Sequence, residues 1–231
     1  MRRNKILRYL ILLALGAAVV YSSLDRIAVY LFAKSRNLEI SYKKSFPFYT
    51  GELKCRSLTV LDRATGMGFF SESAVFKPGW NNGLSLGFAL KRVHFIKKDT
   101  EKPAEDYDDL MQMVAMPFNS RWLYKEISGE IAFFDGGVKV RKFNAANEEL
   151  KLSFTGDIYD NNTVKSDITI YFADSVVSKI PAGLTKVILA DENNGWKSLS
   201  VHLEGNYKAP SIQVSSKRFR LNIKTVVESK T

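Results

Sequence analysis

A chain of 231 residues, 45% hydrophobic and 25% charged, has the composition of a folded protein with room for one ordinary domain and an accessory segment, which excludes gross disorder. Its formal net charge of +10 is concentrated: residues 1–36 hold seven basic residues against one acid, and only +4 is spread over the rest. A nucleic-acid binder needs a dense basic stripe to displace counterions, so this distribution argues against nucleic acid as a partner.

The N-terminus carries the first organised signal. Met1 to Lys5 is a basic leader, and Ile6 to Tyr21 is apolar apart from Arg8, whose long stem lets its charge reach an interface; Ser22 and Ser23 extend the segment. That length approaches what a helix needs to cross about 30 Å of hydrocarbon. Tyr9 and Tyr21 suit the two interfaces, and the basic leader predicts a cytoplasmic N-terminus with the remainder across the membrane. The rival reading is a cleaved signal peptide, although no crisp small-residue cleavage site precedes Ser22. Both readings export the remainder of the chain. Leu24, Ile27, Ala28, Leu31 and Phe32 recur at helical spacing, predicting a helix that continues the anchor, lies at the membrane surface or packs on the domain.

From Leu38 onward the period changes to that of strands. Leu58 and Val60 lead into the turn-like Asp62–Gly66, Phe69 to Phe76 is closed by Pro78-Gly79, and Leu84 to Ile96 comes next. Residues 97–117 form a charged linker and a short helix over 108–116 that Pro117 ends. Ile131–Phe134 and Val138–Phe143 flank Asp135-Gly136-Gly137, a tight-hairpin signal. Val138 and Val140 share one face. Leu150, Leu152 and Phe154 alternate with polar residues, as do Ile168, Ile170 and Phe172, and then Leu199, Val201 and Leu203. A second short helix is expected over 174–180, stopped by Pro181. The predicted class is mainly β: an N-terminal transmembrane helix, then an antiparallel, curved sheet forming a groove or a sandwich, with one or two short helices. Residues 1–36 are leader, anchor and following helix. Residues 37–231 are one exported β domain, with blocks 37–96 and 118–225 joined by 97–117.

The chain offers little chemistry. His94 and His202 stand alone, without partners at metal-ligand spacing, and no nucleophile elbow, zinc-protease or phosphate-loop motif is present. The acids Glu105, Asp106, Asp108 and Asp109 lack the order of a calcium loop. Met111, Met113 and Met116 suit adaptable packing, and Cys55 suits a small core position. Trp80, Trp122 and Trp196 lie near turns or helix ends, where they either mark a membrane or partner surface or, as expected here, are partly buried in the ordinary way. No catalytic residue, metal or cofactor is expected, and the chain does not read as an enzyme.

Three stretches resemble the AsmA-like envelope proteins, a group that includes TamB-type members and short GspN-type relatives. They are Ile127-Ser-Gly-Glu-Ile131 through Phe134-Asp-Gly-Gly-Val138-Lys-Val140; Leu199-Ser-Val-His-Leu-Glu-Gly205 with Ala209-Pro210; and Gly51-Glu-Leu53 through Leu58-Thr-Val60. Gly51-Glu-Leu53 and Gly129-Glu-Ile131 also suggest a weak internal repeat. The resemblance implies a single-pass bacterial inner-membrane protein with its bulk in the periplasm. It further implies an apolar β groove that handles membrane lipid in outer-membrane or envelope assembly. The groove candidates are Leu58, Val60, Val138, Val140, Leu150, Leu152, Phe154, Ile168, Ile170, Phe172, Val201 and Leu203. Two alternatives stand beside it: the same residues form a dry sandwich core, or the chain is a ligand-free structural component among envelope or secretion-system proteins.

Overall fold

The computed structural model describes residues 29–31, 33–35, 37–44, 51–80, 83–97, 109–192, 194–206, 209–216 and 219–224. The expected membrane anchor and most of the charged linker lie outside these residues. Among those described, no helix is long and apolar enough to cross a membrane.

The described chain forms one antiparallel sheet of twelve strands. They are β1 (Leu38–Lys44), β2 (Leu53–Asp62), β3 (Met67–Gly79), β4 (Ser85–Lys97), β5 (Leu123–Phe134), β6 (Gly137–Ala146), β7 (Leu150–Tyr159), β8 (Thr163–Ala173), β9 (Ala190–Asp191), β10 (Trp196–Asn206), β11 (Ser211–Ser216) and β12 (Phe219–Lys224). Spatial order follows chain order from β1 to β8 and continues through β10, β11 and β12, with the two-residue β9 beside β10. β4 pairs directly with β5, so the sheet runs unbroken across the segment that separates the two blocks in sequence.

The turns form where left-handed backbone is cheap. Gly66 (φ +65°) closes β2–β3, where the Asp62 side chain also accepts the Ala64 N–H at 2.8 Å. Gly136 (φ +87°) closes the Asp135-Gly136 hairpin, and Asn194-Gly195, both left-handed, precede β10.

Helices collect at one end of the sheet. α1 (Asp109–Ala115) and a 3₁₀ turn (Met116–Phe118) lie between β4 and β5, and α2 (Asp174–Val177) and α3 (Ala182–Ile188) lie between β8 and β9. The helix α3 was not expected. Pro181, read as a stop, is also the N-cap of α3, because a fixed φ and a missing N–H cost nothing at a helix start. Leu110, Met113, Val176, Val177, Ile188 and Leu189 from these segments join the same core cluster as the strands. Met111 and Met116 pack against that cluster, consistent with methionine as adaptable filling.

A crease crosses four strands. In β2 to β5 the buried pairs are three residues apart: Cys55 and Leu58, Ser71 and Ala74, Leu90 and Val93, Tyr124 and Ile127. Simple alternation would put the members of each pair on opposite faces. Between them sit Ser57, Glu72, Arg92 and Lys125, which face one another across the strands where regular pairing lapses, and the register is the same on both sides. Ser57 and Arg92 both have φ of +51°. In β2 and β4 a left-handed residue interrupts the alternation, and in all four strands the apolar face stays on one side through the crease with two residues turned outward. Arg92 and Glu72 are ion-paired there at 2.7 Å.

Candidate functional site

Cross-strand register sorts the apolar face into rows perpendicular to the strands. Cys55, Ala74, Leu90, Ile127, Ala145, Leu152, Ile170 and Leu199 are successive partners from β2 to β10. Each is 6% exposed or less, so this row is dry. Two residues further along, toward the hairpin end, the next row is Leu53, Phe76, Phe88, Gly129, Phe143, Phe154 and Ile168, and all seven are only half-buried. The row closes on Val201 and Val214, which are fully buried.

The half-buried row is aromatic by construction. Phe88 and Phe143 have ring centroids 6.2 Å apart with Gly129 between their strands, and Phe143 meets Phe154 edge-on at 6.3 Å. A Cβ on Gly129 would lie 2.6 Å from the Phe88 ring and 2.4 Å from the Lys142 carbonyl oxygen, so only glycine admits this approach. Gly51 and Gly129 are therefore not equivalent: Gly51 is a left-handed residue ahead of β2, whereas Gly129 is mid-strand beneath a ring. The expected internal repeat has no structural counterpart.

All twelve sequence-derived groove candidates lie on this one face. Leu150, Leu152, Ile170, Phe172, Val201, Leu58 and Val140 are buried, while Val60, Val138, Phe154, Ile168 and Leu203 are half-buried. Val138 and Val140 reach it through a β-bulge: Arg141 and Lys142 together oppose Glu130 and both face outward. Arg141 there bonds the Glu130 carboxylate at 2.7 Å. Sequence reasoning missed Phe76, Phe88 and Phe143, because the crease and the bulge each break the period of two it relied on. Spacings of three between apolar residues in β2, β4 and β5 were the available signal.

Cover is uneven along the face. At the helical end Phe95 packs against Phe118 and Tyr124, and the buried Tyr124 hydroxyl donates to the Pro117 carbonyl at 2.8 Å. Burial pushes the pKa of that hydroxyl well above the ordinary tyrosine range. At the other end Phe133 and Ile158, on the apolar face, are 39% and 41% exposed. Trp80 is 75% exposed, which corrects the expectation of partial burial: the β3–β4 loop carries it past the last paired residues. Trp122 is buried beneath the Arg121 guanidinium, and Trp196 lies under the Lys151 ammonium.

The outer face carries ion pairs. His202 Nδ1 lies 2.8 Å from Asp167 and its Nε2 lies 3.6 Å from Glu204, on neighbouring strands. His94 stacks beside Phe70. Lys125 hydrogen-bonds Glu148 and holds that carboxyl below its usual range. Among the described residues no three His, Cys, Asp or Glu side chains are grouped to hold a metal ion. Comparison with protein-family models, curated proteins and solved structures returns no match.

Proposed function

We propose that this chain is an AsmA-like envelope protein, held in a bacterial inner membrane by its N-terminal segment, whose periplasmic sheet shelters acyl chains of membrane lipid. One observation carries the reading: four phenylalanines of one row, Phe76, Phe88, Phe143 and Phe154, left half-buried beside a fully dry row on the same face. A sheet that needed only a core would gain by covering these rings, since each fully buried Phe contributes about 1.5–3 kcal/mol. An acyl chain lying along the row would cover them. Each CH₂ it removes from water contributes about 0.8 kcal/mol, so a chain of ordinary length gains on the order of 10 kcal/mol before ordering costs.

The test is photocrosslinking of the full chain in bacterial envelopes, with a benzophenone side chain at Phe154 or at the outward Thr155. Lipid adducts at 154 and none at 155 are the expected result. Equal or absent labelling at both positions would end the carrier reading.

A second reading, a ligand-free structural component of an envelope or secretion assembly, draws on the dry row itself. Eight side chains at 6% exposure or less form a self-sufficient core along that line and need no ligand. Protein adducts at outer-face positions, with no lipid at 154, would favour it.

A further inference from the structure

We infer that the hairpin end of the sheet is a membrane-contact edge that inserts shallowly into an uncharged or zwitterionic bilayer surface. The β3–β4, β5–β6 and β7–β8 connections all lie at this end, opposite the helices and opposite the point where Leu38, paired with Asp62, brings the chain into the sheet. Together they expose Trp80, Leu84, Phe133, Phe134, Ile158 and Tyr159, at 38% to 75%.

The distribution of these side chains selects the occupant. The mouth of a groove requires apolar residues on the inner face only. Here Phe133 and Ile158 lie on the inner face, but Phe134 and Tyr159 belong to the opposite parity and lie on the outer face, which elsewhere carries ion pairs. At this end both faces are apolar, the pattern of an edge surrounded by its solvent rather than one packed from one side. The tips are also fixed relative to one another. Phe134 and Tyr159 meet edge-on at 5.9 Å, and the Phe133 N–H donates to the Leu84 carbonyl at 2.8 Å, so three hairpins present a single surface. Residues 80–84, 132–138 and 158–164 contain two acids, Asp135 and Asp160, and no base, and the bases that flank them, Lys77, Lys139 and Lys165, are each paired with an acid: Glu52, Asp157 and Glu204. Anionic lipid and nucleic acid are therefore poor partners, whereas exposed Trp, Tyr and Phe suit the headgroup region of a neutral bilayer. The inference goes beyond the proposed function and does not require the half-buried row to hold an acyl chain.

The experiment uses the full chain held in amphipol, with Cys55→Ala and an environment-sensitive fluorophore on Trp80→Cys or, at the opposite end, on Ala64→Cys. Phosphatidylcholine vesicles are added. A blue shift at position 80 and none at position 64 is expected. Phe134→Ser and Leu84→Ser, both changes at exposed positions, should each weaken vesicle partitioning about tenfold. No shift at position 80 would overturn the inference, as would a shift confined to anionic vesicles. A shift that follows protein concentration without vesicles would also overturn it, in favour of contact between copies. Failure here leaves crosslinking at Phe154 untouched, and failure at Phe154 leaves this result standing.

Discussion

The two ends of one apolar face have different fates. Near the helices the face is closed by Leu110, Met113, Val176 and Ile188, and residues such as Leu150, Phe172 and Tyr124 are wholly inaccessible. Toward the hairpin tips the same strands carry the same kind of residue at the same parity, yet Phe154 is half-buried and Ile158 is 41% exposed. Alternation decides which residues share a face. Whether that face is dry depends on what covers it: the β4–β5 and β8–β9 connections bring helical segments to one end, whereas β3–β4, β5–β6 and β7–β8 are joined at the other by short connections.

The largest effect that could break this comparison comes from one charge moved along one strand. Leu152→Asp, in the dry row, should cost about 4 kcal/mol or more and abolish a cooperative thermal melt, because a buried carboxylate has no partner there. Phe154→Asp, two residues away, should leave a folded protein with a loss of about 1–2 kcal/mol. Equal losses would mean that the second row is as closed as the first. Gly129→Val should come next, at about 2–3 kcal/mol in denaturant melts, since its side chain must displace the Phe88 ring and the β6 backbone.

Tyr124→Phe sharpens the helical end. Losing the bond to Pro117 should cost about 1 kcal/mol. The wild-type dependence on pH has a defined sign. Burial raises the hydroxyl's folded pKa, so above about pH 10 the unfolded chain releases a proton that the folded chain keeps. The stabilisation is complete below that pH and declines as pH rises, and melts of Tyr124→Phe should decline less over the same range. The smallest effect is at the crease: Ser57→Gly should be neutral or stabilising by up to about 1 kcal/mol, because φ of +51° suits glycine, while Ser57→Val should destabilise.

Much of this architecture was legible in the chain. The runs Leu150–Phe154, Ile168–Phe172 and Leu199–Leu203 alternate cleanly, and each became a strand with those residues on the apolar face. Asp135-Gly136 gave its hairpin for the same local reason. β2 to β5 were harder to read, because Cys55 and Leu58, or Leu90 and Val93, belong to one face only if the strand carries a left-handed step. No composition rule marks Ser57 or Arg92 for such a step. The aromatic row was hidden for a related reason: Phe76, Phe88, Phe143 and Phe154 come from four strands, and only the register places them side by side.

The wiring has a kinetic consequence. Among the described residues, and apart from the two-residue β9, every strand pairs with its neighbours in the chain, and the longest segments to be closed are those between β4 and β5 and between β8 and β10. Loop-closure costs stay small, and each completed hairpin offers an edge to the next strand as it emerges. Such a sheet can assemble progressively from one end while the chain is still being delivered. A hairpin could also be gained or lost in the course of evolution without rewiring the others, so sheet width can vary independently of the packing at either end.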